Sequence, residues 1–294
     1  MNLSHTHQRP ARGSSDTAAT RPRSGLRDIL SVLLHTLLPS ICLCCGAKSS
    51  VDLKSLCEFC AASFLERTTL TGEDKSDIKR HAGYSRCVRC GLTLPGITDA
   101  DQQIIRQNLQ CGQCLSDPPS FDDSVVAAHY APPLDRLIQD LKFRSRLPLA
   151  QAFGVLLARS AVTASGIPSA SRLATADLIL PVPLSSARLA ERGFNQAMEI
   201  ARPVARAMQL PLAGDLCLRV RDTCAQAGLP LSQRRVNMRG AFAVRQRSAI
   251  EGRHIVVIDD VMTTGQTLNE LAACLKRHGA ARVSNLVLAR TPMR

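Results

Sequence analysis

The residue order in HIVVIDDVMTTGQTL, residues 254–268, predicts a buried strand that leads through a tight turn into a helix. The apolar, β-branched run Ile255–Ile258 indicates the strand, and two adjacent carboxylates, Asp259 and Asp260, follow that run. Small and hydroxylated residues at positions 263–267 fit a turn before apolar residues appear at helical spacing. This order is typical of a parallel α/β fold.

Each part of this stretch has a chemical use if the ligand is a sugar phosphate. Backbone N–H groups at a helix N-terminus bind phosphate, and the threonine hydroxyls at positions 263, 264 and 267 add donors. The carboxylates of Asp259 and Asp260 can accept hydrogen bonds from vicinal hydroxyls. The alternative is structural, because strand, turn and helix occur in any α/β protein and Gly265 then only relaxes the turn. The competing phosphate motif GxxxxGK(S/T) is absent from the chain.

The stretch resembles the PRPP-binding motif of type I phosphoribosyltransferases, where PRPP is 5-phosphoribosyl 1-pyrophosphate. The resemblance implies that two acids hold the ribose 2- and 3-hydroxyls and that the following loop holds the 5-phosphate. The residues that it assigns to PRPP are Asp259, Asp260, Val261, Thr263, Thr264, Gly265, Gln266 and Thr267. Mg²⁺ is expected with PRPP, because it stabilises negative charge on the pyrophosphate leaving group.

Charge and aromatic content limit the partners of the chain. The 294 residues carry a formal net charge of +13, and residues 117–294 hold twenty-three Lys/Arg against fourteen Asp/Glu. A basic C-terminal part attracts any polyanion, so charge alone does not separate PRPP from nucleic acid. With no Trp, two Tyr and seven Phe, the chain has few residues that can stack on single-stranded DNA.

Eight of the twelve cysteines form four CxxC pairs. The pairs are Cys42 and Cys45, Cys57 and Cys60, Cys87 and Cys90, and Cys111 and Cys114. Two residues between thiolates let one tight turn present both sulfurs to a tetrahedral ion, which predicts two structural Zn²⁺ sites of four thiolates each. Pairing in sequence order needs the shortest loops, and a crossed arrangement remains open. For any single pair, a redox role is the alternative.

Composition divides the chain into four predicted regions. Residues 1–25, rich in Ser, Thr, Pro and Arg, are expected to form a disordered tail, and residues 26–40 an amphipathic helix. Residues 41–116 are expected to form a double zinc ribbon, and residues 117–294 a phosphoribosyltransferase-like domain. The apolar run Ile29–Leu38 imitates a signal-peptide core, but no small-residue cleavage site follows it and it is too short to span a membrane. We therefore expect a cytoplasmic protein without a membrane span.

From residue 117 onwards, short apolar runs alternate with helical patterns, which predicts a parallel sheet with flanking helices. The predicted elements are a strand at Ser124–Tyr130, a helix ending at Lys142, a helix at Leu149–Thr163 and a strand at Ala176–Val182. Asn195 is expected to cap the next helix. Pro203 is expected to kink or break that helix, because an interior proline removes a backbone hydrogen bond at a cost of about 3 kcal/mol.

Three features together resemble the ComF/GntX family, phosphoribosyltransferase-like proteins linked to natural competence. They are the Cys-rich N-terminal module, PVPLSSARLAERGFNQA at residues 181–197 and RDTCAQAGLPLSQRRVNMRGAF at residues 221–242. The resemblance implies that residues 221–237 form a flexible loop that closes over the reaction centre. It also places the protein in a DNA-internalisation pathway.

The same resemblance implies roles for individual side chains. Arg188 and Arg192 are expected to stabilise the pyrophosphate, and Asp259 and Asp260 to complete the catalytic set. One departure from the family is that residues 185–187 read Ser-Ser-Ala where relatives usually carry more basic residues. Because both acids are expected at an open strand end, replacing either one is expected to change stability little.

These features support two functions. The first is an enzyme that transfers phosphoribosyl from PRPP to an unidentified base or amine and acts in DNA uptake or natural transformation. The alternative is a non-catalytic PRPP-sensing or scaffold protein of the competence machinery that binds protein partners or single-stranded DNA. Residues 31–116 carry nine Lys/Arg against eight Asp/Glu, and this nearly balanced charge favours a protein partner for the Cys-rich module.

Overall fold

The structure, a computed structural model, describes residues 41–50, 52–65, 85–94, 109–163, 173–221 and 239–292. The expected tail at 1–25 and the expected amphipathic helix at 26–40 lie outside these residues. All of the expected closing loop except Arg221 also lies outside them. Within the described ranges, no helix is both long enough and apolar enough to cross a bilayer.

The Cys-rich part contains short elements around its cysteines. Its described elements are α1 (Glu58–Phe64), β1 (Ser85–Arg86), β2 (Thr93–Leu94) and α2 (Gly112–Ser116). Strands β1 and β2 pair antiparallel. Cys57 is the N-cap of α1, where its Sγ accepts the N–H of Cys60 at 3.4 Å. Cysteines therefore direct the local backbone here as well as offering thiols.

Strands and helices alternate through the rest of the chain. The described elements are β3 (Asp123–His129), α3 (Leu134–Arg144), α4 (Pro148–Thr163), β4 (Leu178–Pro181), α5 (Ser186–Arg192), α6 (Gln196–Met208), β5 (Cys217–Arg219), β6 (Phe242–Val244), a 3-10 turn (Arg247–Ala249), β7 (His254–Met262), α7 (Gln266–Arg277) and β8 (Arg282–Arg290). The predicted elements are present with shifted ends. The helix expected to end at Lys142 continues to Arg144, and the strand expected at Ala176–Val182 is the shorter β4.

Four of these strands form one parallel sheet in the order β3–β8–β7–β4. Alternate residues of β7 face two hydrophobic cores. Val256 and Ile258 pack with α3, α4 and α6, whereas Ile255 and Val257 pack with α7 and β6. Because successive side chains of a strand point to opposite faces, helices cover both faces of the sheet and the apolar run is unbroken. This confirms the predicted α/β fold.

Helix α6 begins as the sequence predicts but does not break. Asn195 is its N-cap and accepts the N–H of Ala197 at 3.0 Å, which confirms that prediction. Of the two outcomes expected at Pro203, a kink or a break, the break is wrong, because α6 runs through this residue to Met208. The Pro203 ring lies against Gly154 of α4, where a Cβ would come within 2.0 Å of Pro203 Cγ. Close packing between α4 and α6 offsets the hydrogen bond that proline removes.

Candidate functional site

Asp259 and Asp260 lie at the carboxyl end of β7, one of the two inner strands of the sheet. The side chain of Asp259 is half-buried, whereas Asp260 is 3% exposed. The Asp260 N–H donates to Asp259 Oδ1 at 2.9 Å. Adjacent residues of a strand point to opposite faces, so the two acids have different surroundings although they are neighbours in sequence.

Lys142 on α3 pairs with the buried acid. Its Nζ lies 2.7 Å from Asp260 Oδ2, and the two side chains are 21% and 4% exposed. The contact is a charge pair rather than an aligned hydrogen bond, since no hydrogen-bond partner of suitable geometry among the described residues reaches that oxygen. Burial of a carboxylate requires a compensating cation, which Lys142 supplies. The expectation of two open acids is therefore wrong for Asp260.

Asp259 is the more accessible of the two acids, and its pKa is strongly raised. Burial, together with the negative charge of Asp260, raises the pKa of Asp259 to about 8, and Lys142 opposes this shift. A carboxyl group with a raised pKa next to an ion-paired acid accepts protons or cations readily. This position suits a ligand that brings hydroxyl donors or a divalent cation.

Residues 263–267, which we call the Thr loop, connect β7 to α7. Thr263 and Thr264 are exposed, and Thr264 Oγ1 accepts the Gln266 N–H at 3.4 Å. Gly265 is the N-cap of α7 with φ +78, a conformation that favours glycine. Thr267 lies in the first turn of α7, where backbone N–H groups and the helix dipole favour an anion. The Thr loop has the architecture of a phosphate site.

Arg188 and Arg192 lie on α5, the short helix that follows β4. The guanidinium of Arg192 donates to Gln196 Oε1 at 2.5 Å and lies 5.5 Å from the centre of the Phe143 ring. Burial lowers the pKa of Arg192, and the charge of Asp260 opposes that shift while Arg188 adds to it. Arg192 is therefore electrostatically coupled to the acid at the end of β7.

The structure thus brings most of the predicted site residues to one edge of the sheet. The two acids lie at the carboxyl end of β7, and the Thr loop follows that strand directly. Arg192 interacts electrostatically with Asp260. Val261 differs, because its half-buried side chain packs against the core of α3, α4 and α6 and leaves its backbone for any ligand contact. Lys142 and Phe143 were not among the predicted residues. No local pattern marks them, since their roles depend on contacts with distant parts of the chain.

The eight paired cysteines form two groups of four. The first cluster is Cys42, Cys45, Cys57 and Cys60, and the second cluster is Cys87, Cys90, Cys111 and Cys114. Within each group the sulfur atoms all lie within 4.8 Å of one another. The pairs therefore combine in sequence order rather than crossed. The eleven cysteines within the described ranges have free thiols.

The geometry of both clusters fits a zinc ion. Sγ atoms of Cys45 and Cys57 lie 3.7 Å apart, as do those of Cys90 and Cys111. A tetrahedron with Zn–S bonds of about 2.3 Å has sulfur–sulfur edges of about 3.8 Å. In the second cluster, the Cys90 side chain, with backbone N–H groups, lowers the pKa of Cys87 to about 4, which favours the thiolate form that binds metal. Both clusters can hold Zn²⁺ in closed four-thiolate sites.

Comparison with known proteins agrees with this architecture. The family described as "Phosphoribosyl transferase domain" matches residues 190–294. The chain is 33% identical over 254 residues to "DNA utilization protein YhgH" of Escherichia coli O157:H7, covering 86% of this chain and 98% of that protein. It is 32% identical over 213 residues to "Competence protein F" of Haemophilus influenzae, covering 72% of this chain and 87% of that protein.

Among solved structures, the chain is similar to the "allosteric regulatory enzyme of purine biosynthesis". The identity is 20%, the TM-score is 0.30, and the match covers 47% of this chain and 26% of that enzyme.

A parallel sheet with flanking helices, an acid pair at its carboxyl edge and a Thr loop at a helix N-terminus define a phosphoribosyltransferase-like protein. Two clusters of four cysteines precede this fold. The relatives support assignment to a particular family, because each alignment covers most of this chain and most of the relative's own length. The chain belongs to the ComF/GntX family, which includes proteins named for competence and DNA utilization.

Proposed function

We propose that the chain binds PRPP together with Mg²⁺ at the carboxyl end of β7 and transfers its phosphoribosyl group to a base or amine. The observation that carries the proposal is the sequence of Asp259, the Thr loop and the N-terminus of α7 along one strand–turn–helix unit. The acid offers acceptors for the ribose hydroxyls, and the Thr loop offers donors for the 5-phosphate.

The basic residues around the acids suit the leaving group. Displacement of pyrophosphate from C1 of the ribose develops positive charge on the sugar and negative charge on the leaving oxygens. In this proposal Arg188 and Arg192 on α5 stabilise that negative charge, and the electrostatic interaction of Arg192 with Asp260 supports this role. Mg²⁺ would supply further charge stabilisation to the pyrophosphate when bound.

A second candidate, a PRPP sensor or scaffold without catalysis, is favoured by a different observation. Two of the basic groups near the site are already engaged: Lys142 pairs with Asp260, and Arg192 contacts Gln196 and Phe143. With Ser-Ser-Ala at residues 185–187, few other cations remain in the α5 region for the pyrophosphate. A pocket of this kind can retain PRPP affinity while giving little stabilisation to the transition state.

We also propose a structural role for zinc and a cytoplasmic role in DNA uptake. Closed four-thiolate sites leave no open coordination position for a substrate, so the two clusters would stabilise residues 41–116 and present them to protein partners. The names of the relatives, which refer to DNA utilization and competence, support partners in the competence machinery. Single-stranded DNA is a second partner in this proposal.

Calorimetric titration with PRPP in the presence of Mg²⁺ tests the binding step. At pH 8.5, where Asp259 with its pKa of about 8 is mostly ionised, we expect saturable binding to the wild-type chain and at least about a tenfold loss in Asp259→Asn, because a hydrogen bond to a charged group contributes about 1.5–3 kcal/mol. Pyrophosphate release measured across purines, pyrimidines and amines then separates the two candidates. Release above spontaneous PRPP hydrolysis supports the enzyme, and binding without such release supports the sensor.

A further inference from the structure

The second cluster packs directly against the sheet that carries the site. The Ser124 N–H of β3 donates to the Val88 carbonyl at 3.0 Å, and Arg89 Nη1 donates to the Phe121 carbonyl at 2.9 Å. Gly91, with φ +66, lies so close that a Cβ there would come within 2.3 Å of Val126 Cγ2. The turn between Cys87 and Cys90 is therefore fixed on β3 by hydrogen bonds and by steric fit.

The first cluster contacts a different part of the fold. Ser55 Oγ donates to the Pro148 carbonyl at the start of α4 at 3.0 Å, and Arg159 of α4 pairs with Glu58 at 2.7 Å. These contacts lie on a helix rather than at the carboxyl edge of the sheet. The two clusters therefore differ in what they support, and only the second has described contacts that lead to the Thr loop.

Arg290 makes that connection. It lies at the end of β8, opposite Met262 of β7, and is 5% exposed. Its Nε donates to the Cys90 carbonyl at 3.1 Å, and its Nη1 donates to the carbonyls of Met262 at 3.2 Å, Thr291 at 2.9 Å and Thr263. One guanidinium thus joins a second-cluster residue to the first residue of the Thr loop.

The bond to Thr263 has a defined effect on the phosphate site. A peptide unit is planar and trans, so its carbonyl oxygen and the following N–H point in opposite directions. When Arg290 holds the Thr263 carbonyl, it also directs the Thr264 N–H away from itself. The same argument links the Met262 carbonyl to the Thr263 N–H. Arg290 therefore sets the direction of two donors in the Thr loop.

The positive charge of Arg290 provides a second way in which zinc in the second cluster can act on the Thr loop. The guanidinium of Arg290 is buried and lies against the backbone of Cys90 in the second cluster. A zinc ion with four thiolates carries about two net negative charges. A loaded second cluster therefore stabilises the buried cation and fixes the Cys90 carbonyl that accepts its hydrogen bond.

We propose that Arg290 is a positioning residue through which zinc in the second cluster orders the Thr loop and raises its affinity for the 5-phosphate of PRPP. This inference rests on the proposed PRPP function. Because coupling between two sites is reciprocal, PRPP must also increase zinc affinity at the second cluster. The first cluster lacks this link in the described residues, so its zinc is unaffected by PRPP.

Zinc release from the zinc-loaded wild-type chain tests the reciprocal effect without any substitution. In an equilibrium competition, a colorimetric chelator at rising concentration is expected to remove two zinc ions, and PRPP with Mg²⁺ is expected to raise by at least about fivefold the chelator concentration that removes one of them. Cys45→Ser, in the first cluster, should leave the protected ion in place, whereas Cys114→Ser should remove it. Unchanged release of both ions at a PRPP concentration that calorimetry shows to be saturating overturns the inference.

A double-mutant cycle then tests the role of Arg290 itself. Arg290→Gln and Cys114→Ser are each expected to weaken PRPP binding by at least about fivefold, and the double variant by little more than either alone. Arg282→Gln is the matched control, because Arg282 lies at the opposite end of β8 in an ion pair with Asp123 at 2.7 Å. It should lower stability and leave PRPP affinity unchanged.

The outcomes of this cycle are distinct. Additive losses in the double variant, or equal effects of Arg290→Gln and Arg282→Gln on PRPP affinity, overturn the coupling while the PRPP function stands. Absence of PRPP binding by the wild-type chain removes the proposed function, and the coupling with it. If Arg290→Gln does not fold, the zinc-release experiment on the wild-type chain decides.

Discussion

Asp260→Asn is expected to destabilise the protein, because it leaves the Lys142 ammonium next to a neutral amide. Removing one partner of a buried ion pair costs about 3–5 kcal/mol. The Lys142 side chain is 21% exposed, so water retains part of its solvation and the expected cost falls to about 2–3 kcal/mol. Lys142→Met should lower the free energy of unfolding by more, since it removes the cation that pairs with the Asp260 carboxylate, which is only 4% exposed.

Urea unfolding followed by far-ultraviolet circular dichroism measures these changes, because the chain has no Trp to report by fluorescence. Asp140→Asn is the control, since Asp140 pairs on α3 with Arg144 and Arg146, whose side chains are 70% and 43% exposed. This control should cost less than about 1 kcal/mol. The double variant of Lys142→Met with Asp260→Asn should recover much of the loss. A cost for Asp260→Asn no larger than that of Asp140→Asn would refute the reasoning.

Four further predictions concern metal, ligand and chemistry. Metal analysis of the purified chain should find about two zinc ions, and none with oxidised thiols would contradict the zinc sites. Asp259→Ala should weaken PRPP binding by at least about 1.5 kcal/mol but reduce stability less than a change at Asp260 does. PRPP affinity should rise between pH 6.5 and 8.5, because loss of the proton from Asp259, whose pKa is about 8, gives a carboxylate that accepts stronger, charge-assisted hydrogen bonds, and Asp259→Asn should flatten that profile. In an enzyme, Arg188→Ala should slow turnover far more than it weakens PRPP binding, whereas in a sensor it should change affinity alone.

The part of the site that lies on consecutive residues could be predicted from the sequence. The run that becomes β7, the acids at its end and the Thr loop follow one another along the chain, so periodicity and turn chemistry define them without tertiary information. The parallel sheet followed from the same alternation of apolar runs and helices. The four CxxC pairs were equally visible, because metal-binding turns depend on local spacing.

The contacts that join distant residues could not be predicted in this way. Lys142 appeared only as the end of an amphipathic helix, and its pairing with Asp260 depends on how α3 packs beside β7. Arg290 was only one of the twenty-three Lys/Arg counted over residues 117–294, yet it is buried and bonded to Cys90 and Thr263. The error at Pro203 has the same origin, since the packing of α4 against α6 outweighs the local cost of proline.

The contact between Gly154 and Pro203 also makes the site sensitive to a position that has no functional group. A Cβ at residue 154 would lie 2.5 Å from the Ile200 carbonyl oxygen as well as 2.0 Å from Pro203 Cγ, so replacing the proline alone would not make room for it. Even alanine there must push α6 away from α4. The first turn of α6 holds Arg192 through Gln196, and Asn195 binds the Val182 carbonyl at 3.0 Å. The spacing between α4 and α6 in the apolar interior therefore also determines where the Arg192 guanidinium lies. A larger side chain at residue 154 must displace both α6 and this guanidinium.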